Sequence, residues 1–147
     1  MIRLLVLQIL IIFLFLSNNS IASKQHVFED AKMYFEKKDY NHSKFLFQKF
    51  LVFNPKDHLS YLYLAKIYKE EDNKNETEKN LNTTLLLNPK NEEALFMLIE
   101  LELERSNFFK AEELNEKFSL ICSKLCNHKS IIAEKIKNLE PKKTTKH

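Results

Sequence analysis

Two cysteines near the carboxyl end, Cys122 and Cys126, are the residues whose chemistry and spacing stand out most in this chain. At positions i and i+4 of a helix, the Cα atoms lie about 6 Å apart, near the long end of the range for a disulfide. The bond therefore forms more easily if a helix ends between the two residues. An exported protein meets an oxidising compartment, where such a bond persists. The pair predicts a local disulfide staple in front of a final helix.

Two other chemistries, thiol redox and metal binding, fit this cysteine pair less well. Thiol oxidoreductases place two residues between their cysteines at a helix start, which lowers the thiol pKa, whereas here three residues intervene and a helix end is expected. A metal site needs more ligands, since His128 lies close by but a fourth partner is missing. We therefore predict no metal site, and we keep a thiol-redox accessory role as an alternative.

The rest of the sequence shows no combination of nucleophile, base and stabiliser that would make an active site. The chain contains no Gly, which excludes a Gly-rich phosphate loop, and it has no paired-histidine metal motif. His26, His42 and His58 are evenly spaced, but they fall beside turns on different predicted helices. We predict a protein that is not an enzyme, uses no cofactor and has no small-molecule substrate.

The charge pattern argues against a nucleic-acid partner. The formal net charge is +3, and residues of both signs alternate along the predicted helices, as on a solvated surface. The exception is the lysine-rich end that follows Pro141. We predict that residues 140–147 form a disordered basic tail with a solubilising role.

A repeated tetrapeptide indicates which elements carry these residues. Asn-Pro-Lys-Asp at residues 54–57 recurs as Asn-Pro-Lys-Asn at residues 88–91. The residue before a proline is pushed out of helical geometry, so a helix should end at each of the two leading asparagines. Asp57 and Asn91 can then cap the next helix with their side-chain oxygens. The spacing of the two tetrapeptides matches the period of roughly 34 residues that is typical of stacked helical hairpins.

The residues around these turns resemble the tetratricopeptide repeat over roughly residues 24–125. The second repeat, residues 58–91, matches best, with these residues in the expected positions: Tyr61, Leu64, Ala65, Tyr68, Thr77, Leu81 and Pro89. The first repeat, residues 24–57, matches at Ala31, Tyr34, Ser43, Phe47 and Pro55. The third, residues 92–125, departs from the pattern at Ile99 and Glu102. The resemblance implies an all-α fold of tandem helical hairpins in a right-handed α-solenoid.

Residues 126–139 predict one more helix after the repeats. Ile132, Ile136 and Leu139 form a single apolar stripe, with Lys and Glu opposite. Repeat arrays need an amphipathic end helix that covers the last exposed apolar face. We predict a C-terminal capping helix, and the alternative is an interface for a second copy or a partner helix.

The resemblance also implies a binding site, because the first helices of tetratricopeptide repeats line a concave groove that holds peptides. The residues that project onto this groove are largely apolar or aromatic: Phe28, Lys32, Phe35, Leu59, Leu62, Tyr63, Lys66, Phe96 and Met97. An exposed apolar strip marks a binding site, here for an extended peptide or an amphipathic helix. The alternative is that some of these residues belong to the core. A family variant that clamps a terminal carboxylate is not indicated, since Phe28, Tyr63, Glu93 and Met97 occupy its positions.

The N-terminal segment, residues 1–22, has the layout of a secretory signal peptide. Arg3 precedes an apolar run from Leu4 to Leu16, and a small-x-small pattern ends at Ala22. The run is short for a membrane span, so we predict cleavage near Ala22, with a retained N-terminal anchor as the alternative. The Lys- and Asn-rich composition resembles that of an AT-rich genome. We expect a periplasmic or secreted protein of a Gram-negative bacterium.

These observations lead to one predicted function and two alternatives. The predicted function is an exported scaffold or adaptor of the cell envelope that binds a peptide segment or helix of another protein. The first alternative is a structural homo-oligomer that associates through the last helix. The second is the thiol-redox accessory protein.

Overall fold

A computed structural model describes residues 26–139, and all regular secondary structure in this span is helical. The predicted signal peptide and basic tail lie outside the described residues. The helices are α1 (26–36), α2 (Tyr40–Phe53), α3 (His58–Glu70), α4 (Lys74–Leu87), α5 (Glu92–Glu104), α6 (Phe108–Ile121) and α7 (Lys129–Leu139), with a 3₁₀ turn at Cys126–His128. The predicted fold class, all-α tandem helical hairpins, is confirmed.

The repeated tetrapeptides end one helix and begin the next, as predicted. Helices α2 and α4 stop immediately before the two asparagines, which take the C-cap positions. The Asp57 carboxylate accepts a hydrogen bond from the Ser60 N–H at 2.8 Å, and the Asn91 side chain accepts one from the Ala94 N–H at 2.9 Å. Each bond satisfies an N–H group that a helix N-terminus leaves without an intrahelical partner.

The turns inside the three hairpins share an uncommon backbone conformation. Lys38, Asp72 and Ser106 have φ angles of 59°, 54° and 56°, and they occupy the same position in successive repeats. Glycine adopts this left-handed conformation without a steric penalty, but the chain has none. Lysine and serine take the conformation at a cost of about 1–2 kcal/mol, whereas aspartate adopts it more readily. Asp39 and Asn73 follow two of these turns and cap α2 and α4.

The chain forms two compact units, of which the N-terminal unit ends at Pro55 and the C-terminal unit begins at Lys56. In the N-terminal unit, the small residues Ala31 and Ser43 let α1 and α2 approach closely. The Ser43 hydroxyl donates a hydrogen bond to the Ala31 carbonyl oxygen at 2.9 Å. Fully buried Phe47 fills the space beside this contact.

The C-terminal unit contains two hairpins and the last helix. α3 pairs with α4, α5 pairs with α6, α4 packs against α5, and α7 packs against both α5 and α6. One apolar core runs through these helices and includes Leu98, Phe118, Ile132 and Ile136. The apolar stripe of α7 is therefore used within the unit at Ile132 and Ile136.

Candidate binding surfaces

One surface of the C-terminal unit, the α3/α5 face, is defined by Leu59, Tyr63, Lys66 and Glu93. The Lys66 ammonium lies 2.7 Å from the Glu93 carboxylate and 4.9 Å from the centroid of the Tyr63 ring. Two further pairs continue this row of charges: Lys69 with Glu100 at 2.8 Å, and Lys74 with Glu104 at 3.2 Å. Each ammonium lies beside a carboxylate, so the charges offset one another along the face.

Two predicted groove residues of the C-terminal unit lie in its core. Leu62 is 3% exposed and Met97 is 8% exposed, and both belong to the continuous apolar cluster. They face inward because the helices present these positions to their neighbours rather than to solvent. The expectation of an open apolar strip is corrected here, since both side chains offer little surface to a ligand.

Phe96 is another predicted groove residue, and the C-terminal segment lies against it. Its ring centroid is 6.2 Å from that of Phe118 and 4.7 Å from that of His128. Phe96 is half-buried, whereas Leu59 is exposed and Tyr63 and Lys66 are partly accessible. Of the predicted set in this unit, these last three residues offer the more accessible surface.

The predicted groove residues of the N-terminal unit lie on α1. Phe28 is buried, and its ring centroid is 5.6 Å from that of Phe47 and 5.4 Å from that of Phe50. Lys32 is half-buried, with its ammonium 5.9 Å from the Phe28 ring. Phe35 is also half-buried, beside Tyr40. The expectation that Phe28 is open to a ligand is corrected, because its ring packs between the two helices of this hairpin.

The C-terminal unit has a second surface outside the predicted groove residues, the α4/α6 groove, with a volume of about 620 Å³. Helices α4 and α6 both pack on α5, and the space between them is open. Buried Leu95 and Leu98 of α5 form its floor. Leu86 of α4 and Leu120 of α6 line it while remaining 81% and 87% exposed. The groove is therefore an accessible apolar surface.

Three lysines also line the α4/α6 groove and are called its lysine rim: Lys90, Lys110 and Lys117. Glu113 lies between the two lysines of α6, and its carboxylate is 2.9 Å from the Lys110 ammonium and 2.6 Å from the Lys117 ammonium. Hydrogen bonds from Lys117 and then Lys110 lower the pKa of Glu113 to about 2. One carboxylate thus faces two ammonium groups, so the rim keeps an excess of positive charge.

A signal for this groove was present in the sequence. Val52, Leu86 and Leu120 are evenly spaced at the repeat period, so they occupy the same position in three repeats. All three lie on second helices of hairpins and are largely exposed. Apolar residues recurring at a solvent-facing position of a repeat indicate a surface with a role beyond packing.

The cysteine pair lies in the segment between α6 and α7. Helix α6 ends at Ile121, and the sulfur atoms of Cys122 and Cys126 are at disulfide distance, with a Cα–Cα separation of 5.3 Å. The turn between the two cysteines surrounds the Glu92 carboxylate, which accepts hydrogen bonds from the N–H groups of Ser123 at 2.6 Å and Lys124 at 3.1 Å. These backbone donors, that of Ser123 foremost, lower the pKa of Glu92.

Replacing this carboxylate is expected to change how stability depends on pH. The pKa of Glu92 in the folded state is depressed below its ordinary value of 4.5. Its contribution to stability is therefore present above pH 4.5 and is lost as the pH falls through the lower pKa of the folded state. We expect Glu92→Gln to lose less stability than the wild type as the pH falls below about 4.5. Urea denaturation at a series of pH values measures the effect, with Glu112→Gln on the exposed side of α6 as the matched control. Parallel curves for wild type and Glu92→Gln would contradict the role assigned to the turn.

Residues 26–139 contain neither a candidate metal site nor a candidate membrane-spanning helix. In this span, no group of three His, Cys, Asp or Glu side chains is placed to hold a metal ion. None of the helices in the same span has the length and hydropathy needed to cross a membrane.

No protein-family model matches the sequence, and no curated protein matches it significantly. Solved structures do match the fold. The first tetratricopeptide-repeat domain of Spaghetti (RPAP3), bound to an HSP90 peptide, aligns with a TM-score of 0.71 at 14% identity, over 80% of this chain and 94% of that one. The secretion chaperone SycD of Yersinia enterocolitica, in complex with a peptide of the translocator YopD, aligns with a TM-score of 0.68 at 13% identity, over 79% and 91%.

A third match is the TPR2B domain of yeast Sti1, in a structure described as its complex with pHsp70. It aligns with a TM-score of 0.63 at 17% identity, over 79% of this chain and 91% of that one. The three proteins share little sequence with this chain, but their domains consist of the same helical hairpins. The chain therefore has the tetratricopeptide-repeat fold.

Proposed function

We propose that this chain is a non-catalytic scaffold that binds a peptide segment of another protein on its α3/α5 face. The observation that carries the proposal is the fold, since matched structures of the same fold hold peptides. The Spaghetti domain was solved with an HSP90 peptide and SycD with a peptide of YopD. Residues Leu59, Tyr63 and Lys66 supply accessible side chains on the α3/α5 face of this chain.

The chemistry of the α3/α5 face favours an apolar or aromatic segment of neutral charge. Lys66 is paired with Glu93, and the neighbouring pairs likewise offset their charges. A peptide that ends in a carboxylate would meet Glu93 where a clamp needs a basic residue, so like-charge repulsion would weaken its binding. Leu59 and Tyr63 instead provide apolar area, which an extended peptide or a helix can cover.

The proposed place of action is the cell envelope, after export and cleavage near Ala22. The signal-peptide layout of residues 1–22 supports export. The sulfur atoms of Cys122 and Cys126 lie at disulfide distance, and a disulfide persists in an oxidising compartment. In this proposal, residues 24–57, 58–91 and 92–125 are the three repeats, and residues 126–139 are the capping helix.

Capture from an envelope extract, with a variant of the α3/α5 face, tests the proposal. The informative variant is Leu59→Asp/Tyr63→Asp, because both side chains are at least partly accessible and their loss leaves the apolar core intact. Phe28 is unsuitable, since a charge at this buried position would disturb the packing of α1 on α2. Ile131→Asp on α7 is the matched control, since Ile131 is also an exposed apolar residue.

We expect the wild type and Ile131→Asp to retain the same partner protein. Leu59→Asp/Tyr63→Asp should retain at least about tenfold less of it, as is usual when central apolar contacts are lost. Circular dichroism of the three proteins shows whether each is folded. Equal retention of the same partner by all three folded proteins would refute the α3/α5 face as its site. Retention of nothing but the chain itself would favour the homo-oligomer.

A further inference from the structure

We propose that the α4/α6 groove is a second docking surface, and that its partner is an amphipathic helix whose apolar face is flanked by carboxylates. This surface is separate from the α3/α5 face in both its residues and its charge. The inference goes beyond the scaffold function, because it names a second site and the chemistry that would occupy it.

The shape of the groove fits a helix. Its two walls are themselves helices, α4 and α6, and its floor is the buried side of α5 at Leu95 and Leu98. A groove between two helices offers rows of apolar contacts to a third helix that carries anchors at i, i+3, i+4 and i+7. The volume of about 620 Å³ is enough for several such side chains.

The exposure of the groove leucines is the second argument. Leu86 and Leu120 occupy the same position in two successive repeats, and both are more than four-fifths exposed. Neither side chain is buried within the unit, so intramolecular packing does not account for a leucine at this position. A partner that covers both would remove apolar surface from water at the two walls of the groove.

The positive charge of the lysine rim favours a partner that carries carboxylates. Lys90, Lys110 and Lys117 line the groove, and the Glu113 carboxylate is engaged by the last two. Carboxylates along the edges of an incoming helix would complement this positive excess. A second copy of the chain that docked about a two-fold axis would instead bring two lysine rims together, which like-charge repulsion disfavours.

Two synthetic peptides serve as probes of the groove. Both are amphipathic helices of about five turns with leucine at the i, i+3, i+4 and i+7 positions, and they differ only in carrying glutamate or lysine elsewhere. Binding to the purified protein is measured by fluorescence anisotropy at low and high salt. The expected result is that the glutamate peptide binds, that salt weakens its binding, and that the lysine peptide binds at least about tenfold more weakly.

Variants of the walls and the rim locate the binding. Leu86→Asp and Leu120→Asp should each weaken the glutamate peptide by about tenfold or more, because an apolar anchor is lost. Lys90→Gln/Lys110→Gln/Lys117→Gln should weaken it by about two- to fivefold per lysine. The matched control is Lys124→Gln/Lys135→Gln/Lys137→Gln, which removes the same charge from the C-terminal segment and should leave binding unchanged.

Several outcomes would overturn the proposal. Equal binding of the two peptides would remove the role of the lysine rim, and so would equal losses in the two triple-lysine variants. Unchanged binding by folded Leu86→Asp and Leu120→Asp would place the peptide elsewhere. Light scattering measures the oligomeric state of the wild type and of Leu86→Asp. A dimeric wild type and a monomeric Leu86→Asp would identify the occupant of the groove as a second copy of the chain.

Discussion

Phe118→Ala is expected to destabilise the C-terminal unit by about 3–5 kcal/mol, a large part of the total stability of a small domain. Phe118 is fully buried and belongs to the continuous core, and its ring lies beside that of Phe96. Truncation leaves a cavity between α5 and α6 that rigid helices cannot fill. Urea denaturation followed by circular dichroism measures the loss.

The matched control for this core variant is Phe109→Ala. Phe109 lies on the same helix and undergoes the same chemical change, but it is 75% exposed. Its replacement should therefore alter the free energy of unfolding by less than about 0.5 kcal/mol. Similar losses in the free energy of unfolding for Phe118→Ala and Phe109→Ala would mean that Phe118 is not part of the core.

Ile132→Asp/Ile136→Asp is expected to release α7 from the rest of the unit. The two isoleucines are 3% and 6% exposed, and burial of each contributes about 1.5–3 kcal/mol. Two buried carboxylates without partners add a desolvation penalty, so the helix should undock rather than keep its position. Hydrogen exchange should show that α7 loses protection while α3 and α4 keep theirs.

Ile131→Asp is the control for this experiment, because Ile131 is on the same helix and is exposed. It should leave the protection of α7 unchanged. Light scattering of the double variant adds a second readout. If the wild type is an oligomer and the double variant a monomer with α7 still protected, then the apolar stripe of α7 serves an interface between copies.

Local sequence signals predicted the helix boundaries well, because the forces at a helix end are local. A proline fixes the conformation of its own residue and restricts the one before it, so the ends of α2 and α4 followed from the repeated tetrapeptides alone. The caps at Asp57 and Asn91 depend on hydrogen bonds that each span a single helical turn, and the structure confirms both. The buried contact of Ser43 with Ala31 likewise joins two residues that match the repeat pattern in the sequence.

The exposed face of each helix was harder to predict, because it depends on how the helices rotate against their neighbours. Leu62 and Tyr63 are adjacent in sequence, yet the first is core and the second is partly accessible. The repeat pattern predicts an open groove position for Phe96, but the segment after α6 brings His128 against its ring. The recurrence of Leu86 and Leu120 at the repeat period indicates an exposed apolar position, but the α4/α6 groove itself exists only where two helices pack on a third and leave a space.

The left-handed turns at Lys38, Asp72 and Ser106 have a consequence for the order of folding. In the unfolded chain, Lys38 and Ser106 visit this conformation rarely, whereas Asp72 adopts it more readily. The turns at Lys38 and Ser106 are therefore poor preformed nuclei, and packing across a hairpin, such as that of Ala31 on Ser43, offsets the cost of its turn. Folding of this chain should begin from contacts between helix faces, with the turns completed last.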